Sequence, residues 1–91
     1  MNLTEQFKTI KDYFSPKIVA EVNNQYVKIA KIKGQEIPWH NHEHEDELFY
    51  IIKGNLLMEI ENEPSFNMKK GDLFVVPKGV NHRVSSENEC L

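Results

Sequence analysis

Leu3, Phe7, Ile10 and Phe14 recur at helical spacing near the start of the chain, with polar residues between them. Asn2 stands where a helix cap stands and Glu5 follows at the reciprocal position, so the pattern predicts an amphipathic helix over 3–14 that ends at Ser15-Pro16. Its apolar stripe reads as a lid for the body of the fold or for a neighbouring subunit. From Lys17 the alternation shortens to that of strands. KIVAEV, Asn23-Asn24 and QYVKIAKI predict two strands joined by a tight turn, because Asn tolerates the positive φ such turns need. Lys28, Lys31 and Lys33 read as a solvated face or a charged edge. ELFYIIK and LLMEIE, meeting at Gly54-Asn55, predict a second hairpin, which Asn62-Glu63-Pro64 separates from SFNMKK. Lys70-Gly71-Asp72 precedes LFVV, and Pro77-Lys78-Gly79 leads to His82 and the short run RVSS. Phe49, Phe66 and Phe74 read as core. Short strands at this regular spacing predict a mainly β fold, an antiparallel barrel or sandwich of jelly-roll type over 17–91 within one domain, 1–91. After RVSS only Glu87 to Leu91 remain, so the last strand reads as truncated. The edge left unpaired predicts a homodimer, with strand exchange as one route to it.

Ninety-one residues bury only about 60 to 65% of the surface the unfolded chain exposes. Metal binding or self-association would add to so modest a stability. The net charge of −3, with scattered Lys and Arg, offers no basic face to nucleic acid or an anionic membrane, and neither partner is expected. A single cysteine, Cys90, excludes an internal disulfide and suits a reducing cytoplasm; as the penultimate residue it reads as exposed. The first residues lack the basic and apolar regions of a signal peptide, and no stretch is long enough to span a membrane.

The chemistry concentrates between Gly34 and Gly54, in GQEIPWHNHEHEDELFYIIKG, which holds three of the four histidines together with Glu43, Glu45, Asp46 and Glu47. Nitrogen and carboxylate donors crowded this closely point to a divalent metal. His40 and His42 are one residue apart, so on extended chain both leave the same face and can converge on one ion, while Asn41 points away. Glu47 is too far along for a straight strand, so the chain must bend between Glu43 and Asp46 to return a carboxylate. Asp46, adjacent and of opposite face, is its rival. A further ligand must come from elsewhere, and the remaining histidine is His82.

These residues resemble the cupin superfamily at two separate places. Gly34, His40, His42, Glu47 and Gly54 fit its first motif at every interval, and Gly71, Pro77, Gly79 and His82 fit the second. The second motif ends in asparagine where this chain has Ser86; that asparagine is not a metal ligand in the family, so the departure touches a strand-end contact. The resemblance implies a conical β-barrel with a metal in its interior, held by His40, His42, Glu47 and His82. Fit to both flanking intervals favours Glu47 over Asp46 and leaves His44 in a loop at the rim. Three neutral imidazoles and one carboxylate around a divalent ion leave a net charge of +1 and, in octahedral geometry, two open positions. Mn, Fe, Co, Ni, Cu and Zn are all compatible with these donors. Trp39 and Tyr50 flank the ligand positions and read as core or as the lining of a ligand pocket.

Similar cupins include isomerases resembling mannose-6-phosphate isomerase, and dioxygenases. A small polar ligand, sugar-like or keto-acid-like, is therefore expected. An isomerase needs a base beside the metal, for which Asp46, His44 or a metal-bound hydroxide are the candidates, and a sugar phosphate needs cations, for which Lys53, Lys78 and Arg83 are nearest. The other classes are a binding or sensor module without turnover and a metal-stabilised dimer.

Overall fold

The computed structural model describes residues 1–91. A short helix, α1 (Leu3–Phe7), precedes eight strands: β1 (Lys17–Val22), β2 (Gln25–Ile29), β3 (Ile32–Gly34), β4 (Glu47–Tyr50), β5 (Asn55–Ile60), β6 (Phe66–Lys69), β7 (Leu73–Val76) and β8 (His82–Cys90). β1 and β2 pair with each other, β4 pairs with β7, and β3-β8-β5-β6 form a four-stranded sheet; every pairing is antiparallel.

The helix is much shorter than the predicted 3–14. Asn2 caps it as expected, its side chain accepting from Glu5 N at 3.1 Å. At the other end the Thr9 hydroxyl donates to Gln6 O at 2.7 Å, a side-chain bond that competes with the continuing ladder. Phe14 adopts positive φ and donates its N–H to Lys31 O at 2.8 Å, so the end of the stripe is tied to the β-structure instead. Phe7 and Ile10 still bury against Ile29, with Val19, Ile52 and Leu91 around them. The lid therefore exists as one helical turn and a loop.

The turn at Asn23-Asn24 has positive φ at both residues, as the first hairpin requires. The strand predicted from QYVKIAKI breaks at Ala30-Lys31 into β2 and β3, which belong to different sheets. The second predicted hairpin is also corrected, because β4 and β5 do not pair. Ile51 continues alongside β7, donating to Asp72 O and accepting from Gly71 N, and the chain then crosses to the other sheet at Gly54. Gly54 has φ +89°, and a Cβ there would lie 2.4 Å from Glu89 O, so no side chain fits. β5 makes its hairpin with β6 instead.

The segment after His82 is not a short run with a bare edge. β8 extends over nine residues, between β3 on one side and β5 on the other. The register jumps from Ile32↔Cys90 to Gly34↔Ser86, so β8 bulges through Glu87 to Glu89. Its backbone pairing leaves no open edge there for strand exchange. The inward residues Leu56, Met58, Met68, Val76, Val84 and Cys90 form the main core with Ile51, and Phe49, Phe66 and Phe74 pack against it. Cys90, expected on the surface, is buried. Both sheets contribute to this core, which makes the fold a two-layered jelly roll with the inner faces of β4–β7 and β8–β5 turned towards each other.

Candidate metal centre

Two backbone hydrogen bonds bring the distant motifs together. His40 N donates to His82 O at 3.1 Å and His82 N donates to His40 O at 2.9 Å, an isolated antiparallel bridge. Residues paired in this way project their side chains to the same face, and the two imidazole centroids stand 4.4 Å apart. Gly79 N donates to His42 O at 2.8 Å, so the Pro77-Lys78-Gly79 turn fixes the chain that carries His42. The chain then loops through Glu43 to Asp46, and Glu47 enters from the facing sheet as the first residue of β4, opposite Val76. The bend required to return a carboxylate is thus a crossing between sheets.

The outcome is a cluster of His40, His42, Glu47 and His82 in which one donor atom from each lies within 4.8 Å of all the others. His42 Nε2 is 2.5 Å from Glu47 Oε2, and His82 Nε2 is 3.7 Å from it. For bonds of about 2.1 Å, adjacent octahedral ligands stand about 3 Å apart and opposite ones about 4.2 Å. Shifts of a few tenths of an ångström would place all four atoms around one ion.

The ring orientations favour the same use. His40 Nδ1 lies 3.0 Å from Pro38 O and His82 Nδ1 lies 3.0 Å from Val80 O. A carbonyl only accepts, so each Nδ1 carries the proton and each Nε2 presents its lone pair inward. Holding the outer nitrogen in this way sets the ring direction and the tautomer. Nothing in the protein uses those inner lone pairs fully. His82 Nε2 and Glu47 Oε2 are buried without a hydrogen-bond partner, the short approach of Glu47 to His42 lacking hydrogen-bond alignment. His82 is fully buried, with Ile60 opposite it on β5 and the Phe49 ring edge-on at 6.0 Å. The donor set and its orphaned atoms fit a divalent transition ion.

Asp46 is separated from this cluster by a backbone task. Its Oδ1 accepts from Lys78 N at 2.9 Å, tying the first motif to the turn of the second. His44 is exposed, its nearest charged neighbour being Glu43 at 3.8 Å. Trp39 lies neither in the core nor in the cluster: next to inward His40 it faces outward, with the Arg83 guanidinium 4.7 Å from its ring centroid. Arg83 in turn forks onto Glu59, Nε to Oε2 at 2.6 Å and an amino nitrogen to Oε1 at 3.3 Å. That bond holds the Glu59 carboxyl below its usual range and the Arg83 guanidinium above its own. Arg83 is consequently committed on the outer face of the sheet. Tyr50 is also outward and half exposed.

Supporting groups that sequence reasoning did not identify are the Pro38 and Val80 carbonyls, each two residues before a histidine, and a polar chain beside the ligands. Asn41 donates to Asn81 at 2.9 Å, and Asn81 donates to Glu61 at 2.6 Å while its backbone carbonyl accepts from Glu61 N at 3.0 Å. Asn41 and Asn81 each adjoin a candidate ligand, but only the fold reveals that they meet.

No helix is long and apolar enough to cross a membrane. Comparison with known proteins agrees with the geometry. The chain is 33% identical over 85 residues to the uncharacterized protein YdbB of Bacillus subtilis, covering 93% of this chain and 74% of that protein. A crystal structure of a cupin-2 domain containing protein from Shewanella frigidimarina superposes with a TM-score of 0.92 at 30% identity, over 99% of this chain and 86% of that one. Protein NMB1881 from Neisseria meningitidis gives 0.89 at 30% identity, over 99% and 90%. Residues 29–90, from the end of β2 through β8, match the cupin domain, and the chain therefore belongs to the cupin family.

Proposed function

We propose that this chain binds one divalent transition metal through Nε2 of His40, His42 and His82 and Oε2 of Glu47, and presents it to a small oxygen-rich ligand such as a sugar or keto acid. The observation that carries this reading is the pair of buried acceptors without a hydrogen bond, Glu47 Oε2 and His82 Nε2, in a cluster where His40 and His82 already turn Nε2 inward. An unpaired buried acceptor costs about 1–3 kcal/mol. A cation offsets that cost for both at once. When bound, the metal supplies Lewis acidity towards a ligand oxygen. The chain's own contribution is to hold four donors on two sheets and to pack Phe49 beside them. Mn, Fe, Co, Ni, Cu and Zn remain equivalent by donor type, and supply in the cell selects among them.

Binding without turnover is favoured over an isomerase by the fate of the expected auxiliary groups. Asp46 is engaged by Lys78 N, His44 stands in solvent, and Arg83 is paired with Glu59 on the outside. These three positions supply no base beside the metal, and Arg83 is unavailable to an anion there. A dioxygenase needs no such groups but does need a redox-capable ion, so a site that takes up only redox-inert zinc would set that reading aside.

Elemental analysis of protein purified without a histidine tag tests the proposal. Near one equivalent of a transition metal is expected in the wild type, and almost none in His40→Ala or His82→Ala. A wild type that stays metal-free after incubation with Mn, Fe, Ni and Zn would overturn it.

A further inference from the structure

The segment from Gln35 to Asp46 carries His40 and His42, yet little of the fold holds it. None of its side chains belongs to either buried cluster. Its main chain forms hydrogen bonds only through His40 N, His40 O and His42 O, a small restraint on a segment this long, because each bond is made in competition with water. The ring bonds from His40 to Pro38 O and from His82 to Val80 O fix each imidazole relative to its own segment, not the two segments relative to each other.

The remaining restraint lies on the outer face. His40↔His82 is an antiparallel bridge, so the residues on either side of it also stand opposite each other and point the other way. Trp39 meets Arg83, whose Cζ lies 4.7 Å from the ring centroid, and Asn41 donates to Asn81 Oδ1 at 2.9 Å. Both pairs run on to β5 and the turn after it. Arg83 forks onto Glu59, its register partner, and Asn81 donates to Glu61 Oε2 at 2.6 Å. Gln35, at the start of the segment, also reaches Glu59 Oε2, at 3.4 Å. Parallel rows result, with Trp39, Arg83 and Glu59 in one outer row, Asn41, Asn81 and Glu61 in the other, and His40 and His82 on the inner face between them.

We propose that the two outer rows form a clasp that holds His40 against His82, and that Trp39 and Asn41 are positioning residues for the metal centre. The purpose of the clasp rests on the metal-binding reading above; its geometry rests on the rows themselves. Ligand and clasp residues alternate along one segment, so a shift that opens the clasp carries His40 away from His82. One pair would leave the bridge free to pivot, whereas a pair on each flank sets register and twist together. Cross-strand pairs of this kind, a cation–π contact included, each favour closure roughly two- to fivefold. The clasp also accounts for Trp39, an exposed indole with no place in the core or the ligand set.

Amide hydrogen exchange by NMR on metal-free protein reads the clasp directly, because His40 N–H and His82 N–H are the two donors of the bridge. In Trp39→Ala/Asn41→Ala both are expected to exchange about tenfold faster, the product of two such pairs. Ile51 N–H and Gly71 N–H, which bond beside β4 and β7, are expected to keep their wild-type rates, whereas a general loss of stability would move all four amides together. Cobalt(II) affinity, followed by visible absorption against a competing chelator, is expected to fall by about tenfold, the lower end of what supporting groups around a metal are worth. Trp39→Phe, which keeps a ring for the guanidinium, is expected to stay within about twofold of the wild type in both measurements. Trp39 and Asn41 are exposed, and if the double variant does not fold, Trp39→Ala alone takes its place, with an expected acceleration of about threefold. Unchanged exchange at His40 and His82, an acceleration shared equally by Ile51 and Gly71, or unchanged cobalt affinity would overturn the inference. A wild type that takes up no cobalt would instead sink the metal-binding reading, and the bridge amides, read without metal, would still test the clasp.

Discussion

Strand β8 buries two polar side chains four residues apart, His82 and Ser86, and treats them differently. Ser86 Oγ donates to Asn55 O at 2.6 Å and also touches Asn88 O within the bulge, so its single proton lies between two carbonyls. Its hydrogen-bonding capacity is absorbed by the protein. His82 is satisfied at Nδ1 by Val80 O and left open at Nε2, in a setting more buried than that of Ser86. A buried group whose needs are met internally explains itself as structure. One held firmly on one side and left bare on the other calls for something from outside the chain.

The same contrast recurs between neighbours where the chain enters β4, and there it gives the largest expected effect. Asp46 has its acceptor filled by Lys78 N, whereas Glu47 Oε2 is buried among imidazole nitrogens without a hydrogen bond. Glu47→Gln keeps the shape and removes the anion. Metal affinity, followed by competition with a chromogenic chelator, is expected to fall by about 100-fold or more, the upper range seen for groups that merely support ligands. Asp46→Asn retains an acceptor for Lys78 N and is expected to lose less than about tenfold in affinity, with about 1 kcal/mol of stability. Equal losses in the two variants would collapse the distinction between a structural and a ligating carboxylate.

The Ser86 side of the comparison predicts the reverse profile. Ser86→Ala strips the donor from the Asn55 and Asn88 carbonyls in a buried setting, and about 1–3 kcal/mol of stability should be lost by urea titration. Metal affinity should stay within about twofold, because Ser86 lies beyond the bridge that orients His82 and touches none of the four donors. A variant that lost metal in proportion to stability would tie the bulge to the site.

The sequence displayed the ligand cluster more clearly than the framework that assembles it. His40, His42 and Glu47 lie within eight residues, and the Pro77-to-Gly79 turn marked His82 as the return of the chain. That His40 and His82 are directly bridged, and that Asp46 is spent on Lys78 N, depends on which strands share a sheet, and local pattern does not encode this. Gly54 shows the limit well. A glycine followed by asparagine between apolar runs reads as a hairpin, yet its freedom is used to cross between sheets beneath the Glu89 carbonyl. Periodicity overstates the length of α1 for a similar reason. Phe14 keeps helical spacing with Ile10, but its N–H goes to Lys31 O, a tertiary bond that overrides the periodicity. Cys90 reads as exposed from its position near the end, whereas β8 carries it through the bulge into the core.

Cys90 supplies the third buried side chain with a heteroatom on β8 and the smallest expected effect. A thiol is a weak hydrogen-bonding group, so it behaves as part of the apolar core and asks for no partner. Burial pushes its pKa up from 9.0 to about 11. The folded protein therefore keeps its proton where the unfolded chain has released it, and the neutral thiol's contribution is complete below the unfolded value and lost as pH rises towards the folded one. Between about pH 9 and 11 the unfolded state binds fewer protons, so stability should decline by up to about 1.4 kcal/mol per pH unit from this group. Cys90→Ala should cost about 1 kcal/mol near neutrality through the cavity it leaves, and should lack this share of the alkaline slope. Urea midpoints of both proteins at about pH 8 and about pH 10.5 make the comparison, with the gap between them narrowing or reversing at the higher pH. Tyr13, held protonated above its usual range by its hydrogen bond to Glu89, titrates nearby but is common to both. Parallel midpoints would mean that the thiol reaches water in the folded state, and β8 would then hold one buried group fewer against which to set His82.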